Sequence, residues 1–247
     1  MRDINTGGGR DLLIDRIFET CLSVPADFGG GSSFEKVWVM AKLAEKLNLR
    51  TYVEIGVYRG RSFLPLARAF GELGGFSYGV DPYSREEAME HDVPPDIADA
   101  VKSFINSTDY GAVYRGFLER QMQQGLTSVS MLIRETSDAV MSLFNDCKIY
   151  PDMVHVDGNH DIDHALRDVQ NSIEMLSDRG ILVIDDINWA SVEPALSHAR
   201  QHLNLIHETS TYAVLGRRAQ LHPDPQILTD TCRRAEIEAL EYINGRL

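Results

Sequence analysis

Four short apolar runs in this chain each carry a carboxylate at or just past their last residue. Glu54 lies in Thr51–Ile55, Asp81 follows Phe76–Val80, Asp157 follows Met153–Val156, and Asp185 with Asp186 follows Ile181–Ile184. Carboxylates gathered without partners repel one another, so a cation or a hydroxyl-rich ligand must compensate, or the acids must point apart. Asp157, Asp185 and Asp186 come from two different runs. As three hard oxygen donors they suit Mg²⁺, Mn²⁺ or Ca²⁺ better than zinc. His160 stands three residues after Asp157. A neutral imidazole there could take a proton from a hydroxyl held on such a metal, and Asp157 is a second candidate base. The plainer reading of His160 is an exposed loop residue. His155 reads as a packed or hydrogen-bonded ring. His160 and His164 are four apart, but no Glu follows His160, so the zincin motif is absent.

The first run continues into a glycine turn, Glu54-Ile55-Gly56-Val57-Tyr58-Arg59-Gly60-Arg61-Ser62. Its spacing is Glu-x-Gly-x-x-x-Gly. Such a turn lets a ligand lie against bare backbone at a helix N-terminus. The dinucleotide fingerprint Gly-x-Gly-x-x-Gly is missing, which points away from NAD and toward a nucleoside with no pyrophosphate. Asp81 lies 25 residues after Gly56. An acid at the end of the next strand can accept hydrogen bonds from both hydroxyls of a ribose. Its alternative is a turn cap before Pro82.

These residues need a scaffold that gathers strand ends, and the periodicity supplies one. Apolar strands at Thr51–Ile55, Phe76–Val80, 129–134, Met153–Val156 and Ile181–Ile184 alternate with helices at about 61–70, 137–145, 162–176 and 189–202. This alternation predicts an α/β fold with a mostly parallel sheet covered on both faces. Ligands on such sheets sit at the carboxyl ends of the strands. Segments 205–206 and 212–215 read as a closing antiparallel pair. Before the first strand come a helix at 11–21, a glycine-rich loop at 28–32 and a helix at Phe34–Leu47 capped by Ser32 or Ser33. Asp161 is the expected cap of the helix at 162–176. Residues 83–124 interrupt the alternation with two or three amphipathic helices, either a lid or substrate-binding element or extra packing. A helix at 226–243 ends the chain.

Composition narrows the function. The chain has 247 residues, 43% hydrophobic and 25% charged, as in a globular protein. Its net charge of −13 argues against nucleic acid or an anionic membrane as main partner. No apolar run reaches the roughly 18 residues that span a bilayer. The N-terminus lacks a signal-peptide core. Three scattered cysteines, Cys21, Cys147 and Cys232, suit a reducing cytoplasm and read as small core residues.

Four motifs together resemble class I S-adenosylmethionine-dependent methyltransferases. They are Val53 to Ser62, Gly79-Val80-Asp81-Pro82-Tyr83, His155-Val156-Asp157-Gly158-Asn159-His160, and Gly180 to Asp186. The closer likeness is to metal-dependent sugar O-methyltransferases of the macrocin and mycinamicin type and to related bacterial methyltransferases, over roughly 34–217. The resemblance implies a Rossmann-like, doubly wound, seven-stranded sheet with a C-terminal antiparallel strand. It also implies that Glu54, Gly56, Tyr58, Gly60 and Ser62 hold the methionine end of the cofactor, Asp81 its ribose, and Ser137 with Asp138 its adenine. Asp157, Asp185 and Asp186 would bind Mg²⁺, and His160 would be the base. Glu135 departs from the pattern, which has a glycine there. The chain then divides into an N-terminal helix and loop at 1–33, a methyltransferase domain at 34–217 and a helical extension at 218–247 that could serve a homo-oligomer. The acceptor would be a small hydroxyl compound, a sugar or a glycosylated natural product. The rival readings are an inactive cofactor-binding scaffold and an NAD-dependent oxidoreductase.

Overall fold

A computed structural model describes residues 8–27, 31–217 and 224–246. Seven strands form one sheet: β1 (Thr51–Ile55), β2 (Phe76–Val80), β3 (Ser130–Ile133), β4 (Met153–Val156), β5 (Ile181–Ile184), β6 (Leu203–Glu208) and β7 (Ala213–Arg217). Their order is β3-β2-β1-β4-β5-β7-β6, and β7 runs antiparallel to both of its neighbours. The expected doubly wound α/β sheet is therefore present.

Alternate residues of each strand face opposite sides of a sheet, and here they seed two cores. Tyr52, Met153, Ile181 and Val183 join one; Val53, Val154, Leu182 and Ile184 join the other. The first core is covered by α1 (Gly8–Leu22), α2 (Phe34–Leu47), α3 (Phe63–Glu72) and α9 (Pro225–Asn244). The second is covered by α6 (Ser137–Cys147), α7 (Ile162–Met175) and α8 (Glu193–His202). Two more helices, α4 (Ala98–Ser107) and α5 (Tyr110–Gln123), make up the interruption between β2 and β3.

The chain winds outward in both directions from the gap between β1 and β4, the switch point where such sheets bind ligands. The ladders run one residue past the strands and hold the acids at that edge. Asp157 N donates to Ile55 O at 2.9 Å, and Asp185 N to Val156 O at 3.0 Å.

Several local expectations are corrected. Helix α3 starts at Phe63, because the glycine turn occupies the residues before it. Helix α8 starts at Glu193 with Pro194 in its first turn, so Trp189 is freed to face the site. Ser33 caps α2 as expected, accepting from Lys36 N. Asp161 sits at the N-cap of α7 but does not cap it. Instead Asp92 accepts from Ile162 N at 3.0 Å, and Asp161 accepts from the amides of His91 and Asp92. Cys147 is exposed, unlike buried Cys21 and Cys232. The glycine-rich loop falls partly on 28–30, outside the described residues, as do residues 1–7. No helix among the described residues is long and apolar enough to cross a membrane.

Candidate functional site

A cavity of about 690 Å³ opens at the carboxyl ends of β1, β2, β4 and β5. The glycine turn forms one wall. Gly56 has φ +86°, and a Cβ there would stand 1.9 Å from the Asp157 carbonyl oxygen. Only glycine lets the two strand ends approach this closely. Beyond it, the amides of Val57 and Tyr58 donate to Asp81 Oδ2 at 3.1 and 2.8 Å, and Tyr83 N donates to Oδ1 at 2.7 Å. Burial still pushes the Asp81 pKa up. Oδ2 thus accepts twice, and Oδ1 keeps a second lone pair for a ligand hydroxyl.

Gly56, Tyr58, Ser62 and Asp81 line the cavity, whereas Glu54 and Gly60 stand behind its wall. Glu54 is fully buried and accepts from the hydroxyls of Tyr52 and Ser62, the latter at 2.7 Å. Gly60 has φ +83°, and a Cβ there would meet the Phe117 ring at 2.9 Å. Its second task is thus to admit α5 against the turn. At the far end of the cavity, Ser137 donates to Asp168, and Asp138 accepts from Asn171 at 2.7 Å. Burial raises the Asp168 pKa to about 6. Glu135 lines the same end.

The acids at β4 and β5 meet a residue from the opposite side. Lys36, on α2, hydrogen-bonds Asp185 and lies 3.6 Å from Asp157 Oδ2, with its side chain 4% exposed. Burial favours loss of the ammonium proton, but the two carboxylates outweigh it and raise the Lys36 pKa. Burial likewise opposes ionisation of Asp185, yet Lys36 holds that carboxyl below its ordinary range. Asp157 has the longer contact, and burial raises its pKa to about 7. His155 is fully buried beneath them. Its Nε2 lies 3.9 Å from Asp157 and 4.0 Å from Asp185, with no hydrogen-bond partner.

His155, Asp157 and Asp185 each bring one ligand atom within 4.8 Å of the others, a grouping able to hold a cation. It differs from the expected three acids. Asp186, at φ +52°, turns its carboxylate to His160 Nε2 at 2.9 Å. Mg²⁺ needs oxygen ligands at about 2.0–2.1 Å in a near-octahedral array. A divalent ion about 4 Å from an ammonium is repelled by about 8 kcal/mol even at an effective dielectric of 20. With Lys36 in place, these residues do not fit Mg²⁺.

His160 is clamped. Its Nδ1 lies 2.7 Å from Glu90 Oε1, and its ring stacks on Trp189 at 4.5 Å. Burial favours the neutral ring, but hydrogen bonds to Asp186 and Glu90 prevail and raise the pKa to about 10. The sequence suggested a neutral imidazole; the two carboxylates favour the protonated ring. Accordingly, its Cε1–H resonance in an NMR titration of the ligand-free protein is expected to stay flat from pH 5 to 8. A midpoint near 6.5 would contradict the clamp.

The residues between β2 and β3 complete the enclosure. Ile97, Val101, Phe104, Ile105 and Tyr110 give an apolar wall. Asn159 Nδ2 ties this segment to the β4 loop, donating to the carbonyls of Glu87 and Met89 at 2.9 Å. Sequence reading missed Lys36, Glu90, Asp168 and Trp189. Two had a signal. Lys36 is a lone cation before the apolar run Val37-Trp38-Val39-Met40, and Asp168 falls on the inward stripe of α7 with Ala165, Val169 and Ser172.

Comparison with known proteins agrees with this geometry. No curated protein matches the chain. Among solved structures, a putative O-methyltransferase from Klebsiella pneumoniae superposes with a TM-score of 0.58 at 11% identity, covering 84% of this chain and 90% of that one. An O-methyltransferase from Bacillus cereus in complex with SAH gives 0.56 at 12%, covering 87% and 94%. The O-methyltransferase TomG from Streptomyces achromogenes, involved in tomaymycin synthesis and in complex with SAM, gives 0.56 at 12%, covering 83% and 96%. These likenesses establish the fold. A family model described as a methyltransferase domain matches residues 53–187, from the glycine turn through Asp185 and Asp186 and over more than half of the chain. The chain belongs to that methyltransferase-domain family.

Proposed function

We propose that this protein is an S-adenosylmethionine-dependent O-methyltransferase acting on a hydroxyl of a small polyhydroxylated acceptor, such as a sugar or a glycosylated natural product. The observation that carries the reading is the glycine turn at the switch point, with Asp81 beside it and Asp157 facing the same cavity. The SAM and SAH complexes of structural neighbours support the cofactor. In this reading Gly56, Tyr58 and Ser62 border the methionine end, Asp81 the ribose, and Ser137 with Asp138 the adenine. Glu54 and Gly60 shape that wall from behind.

Methyl transfer from a sulfonium is an in-line displacement, so the protein must align the acceptor oxygen and remove its proton. Asp157 suits the base: with a pKa of about 7, it is poised near working pH. His160 has both ring nitrogens against carboxylates and serves better to position Glu90 and Asp186, whose remaining lone pairs can accept from an acceptor hydroxyl. The Trp189 ring offers a stacking face for the C–H side of a sugar. The metal-dependent, macrocin-type version of this activity needs three carboxylates turned to one ion.

The test is calorimetric titration with S-adenosylmethionine, with NADH as control. Micromolar binding of the first and none of the second is expected. Asp157→Ala is then expected to keep cofactor binding and lose about 10²–10⁴-fold in turnover on a sugar-hydroxyl panel. Binding of NADH alone, or full turnover by Asp157→Ala, would overturn the cofactor or the base respectively.

A further inference from the structure

The sequence reads the acids at the ends of β4 and β5 as a metal set, yet in the fold their counter-ion is a side-chain ammonium. We propose that Lys36 is the resident cation of this site: its ammonium stands between Asp157 and Asp185 where a divalent ion would bridge them, so the site works without a metal.

Three independent placements support this. The ammonium is buried and shared by both carboxylates, bonded to Asp185 and 3.6 Å from Asp157. Its helix is fixed on both sides of Lys36 in sequence. Ser33 Oγ accepts from Lys36 N at 3.2 Å, and Trp38 Nε1 donates to Glu238 on α9 at 3.1 Å. Lys36 is therefore held there by the fold. The third acid is also diverted, since Asp186 pairs with His160. The remaining potential ligand, His155 Nε2, is buried and unpartnered beside the same two acids. An ion could use it only after Lys36 has gone.

Lys36 lines the cavity. It acts as a positioning residue, neutralising the pair so that Asp157 faces the acceptor without a second uncompensated charge behind it. The role in catalysis rests on the methyltransferase reading above; the exclusion of metal does not.

The experiment is a Mn²⁺ titration of the full chain followed by electron paramagnetic resonance, which reads metal uptake without any acceptor. For the wild type, the free Mn²⁺ signal is expected to stay undiminished to millimolar concentration. Lys36→Ala is expected to take up one Mn²⁺ at least 10-fold more tightly, and Asp185→Asn in that background to abolish the uptake. If Lys36→Ala does not fold, Lys36→Gln, which keeps most of the stem, carries the same expectation. A tight wild-type site lost on Asp185→Asn overturns the proposal. So does a folded Lys36 variant that takes up no ion. Failure to bind S-adenosylmethionine would sink the methyltransferase reading and leave the Mn²⁺ result standing, so the two failures are distinguishable.

Discussion

Gly56→Ala is expected to lose S-adenosylmethionine binding and about 3–5 kcal/mol of stability. Two costs combine. The residue sits at φ +86°, which an L side chain rarely adopts, and the new methyl would lie 1.9 Å from the Asp157 carbonyl oxygen. That oxygen is backbone, so no rotamer change relieves the contact. Relief requires β1 and β4 to part at their carboxyl ends. The turn that bears the Val57 and Tyr58 amides then moves away from Asp81. Denaturant unfolding and calorimetry together test this. Wild-type stability with wild-type affinity would mean the turn is looser than its geometry. Gly125→Ala is the control, because a Cβ there meets nothing within 4 Å although its φ is +67°.

Lys36→Met is expected to cost about 3–5 kcal/mol at pH 8, because it strands buried carboxylates without their partner. The sign of the pH dependence identifies the cause. In the wild type, the lowered Asp185 pKa contributes stability above the unfolded carboxylate value, lost as pH falls. Without Lys36, both Asp157 and Asp185 would have raised pKa values. A raised carboxylate stabilises the fold only while protonated, so the mutant weakens as pH rises. The deficit should therefore be largest above pH 8 and shrink toward pH 4. Unfolding curves across that range provide the measurement. A deficit below about 1 kcal/mol and independent of pH would place the ammonium in solvent exchange, as for a surface pair.

The extent of sequence legibility follows from how far apart the interacting residues lie. The strands at Thr51–Ile55, Phe76–Val80, Met153–Val156 and Ile181–Ile184 appear where their apolar runs end. A run of β-branched and aliphatic residues bounded by glycine or proline is a local signal, read within a few residues. Gly56 was legible for the same reason: a glycine directly after a strand and before a helix has few other uses. Alternation of apolar strands with helices made the mostly parallel sheet legible, while the order β3-β2-β1-β4-β5-β7-β6 came from the structure. Helix starts were less legible. Trp189 looked helical by composition, but a proline at the next helix's first turn set the boundary later.

By itself, then, the sequence determined an α/β sheet with a glycine turn and carboxylates at its functional edge. Those features depend on backbone conformation and on burial patterns a few residues long. Only the tertiary structure decided which charges neutralise one another. Lys36 reaches Asp185 across 149 residues of chain, and Glu90 reaches His160 across 70. A carboxylate at a strand end looks the same in sequence whether it faces a metal, an ammonium or an imidazolium. Its partner is chosen by which elements pack over that edge, and here they set Lys36 against Asp157 and Asp185, and His160 against Asp186.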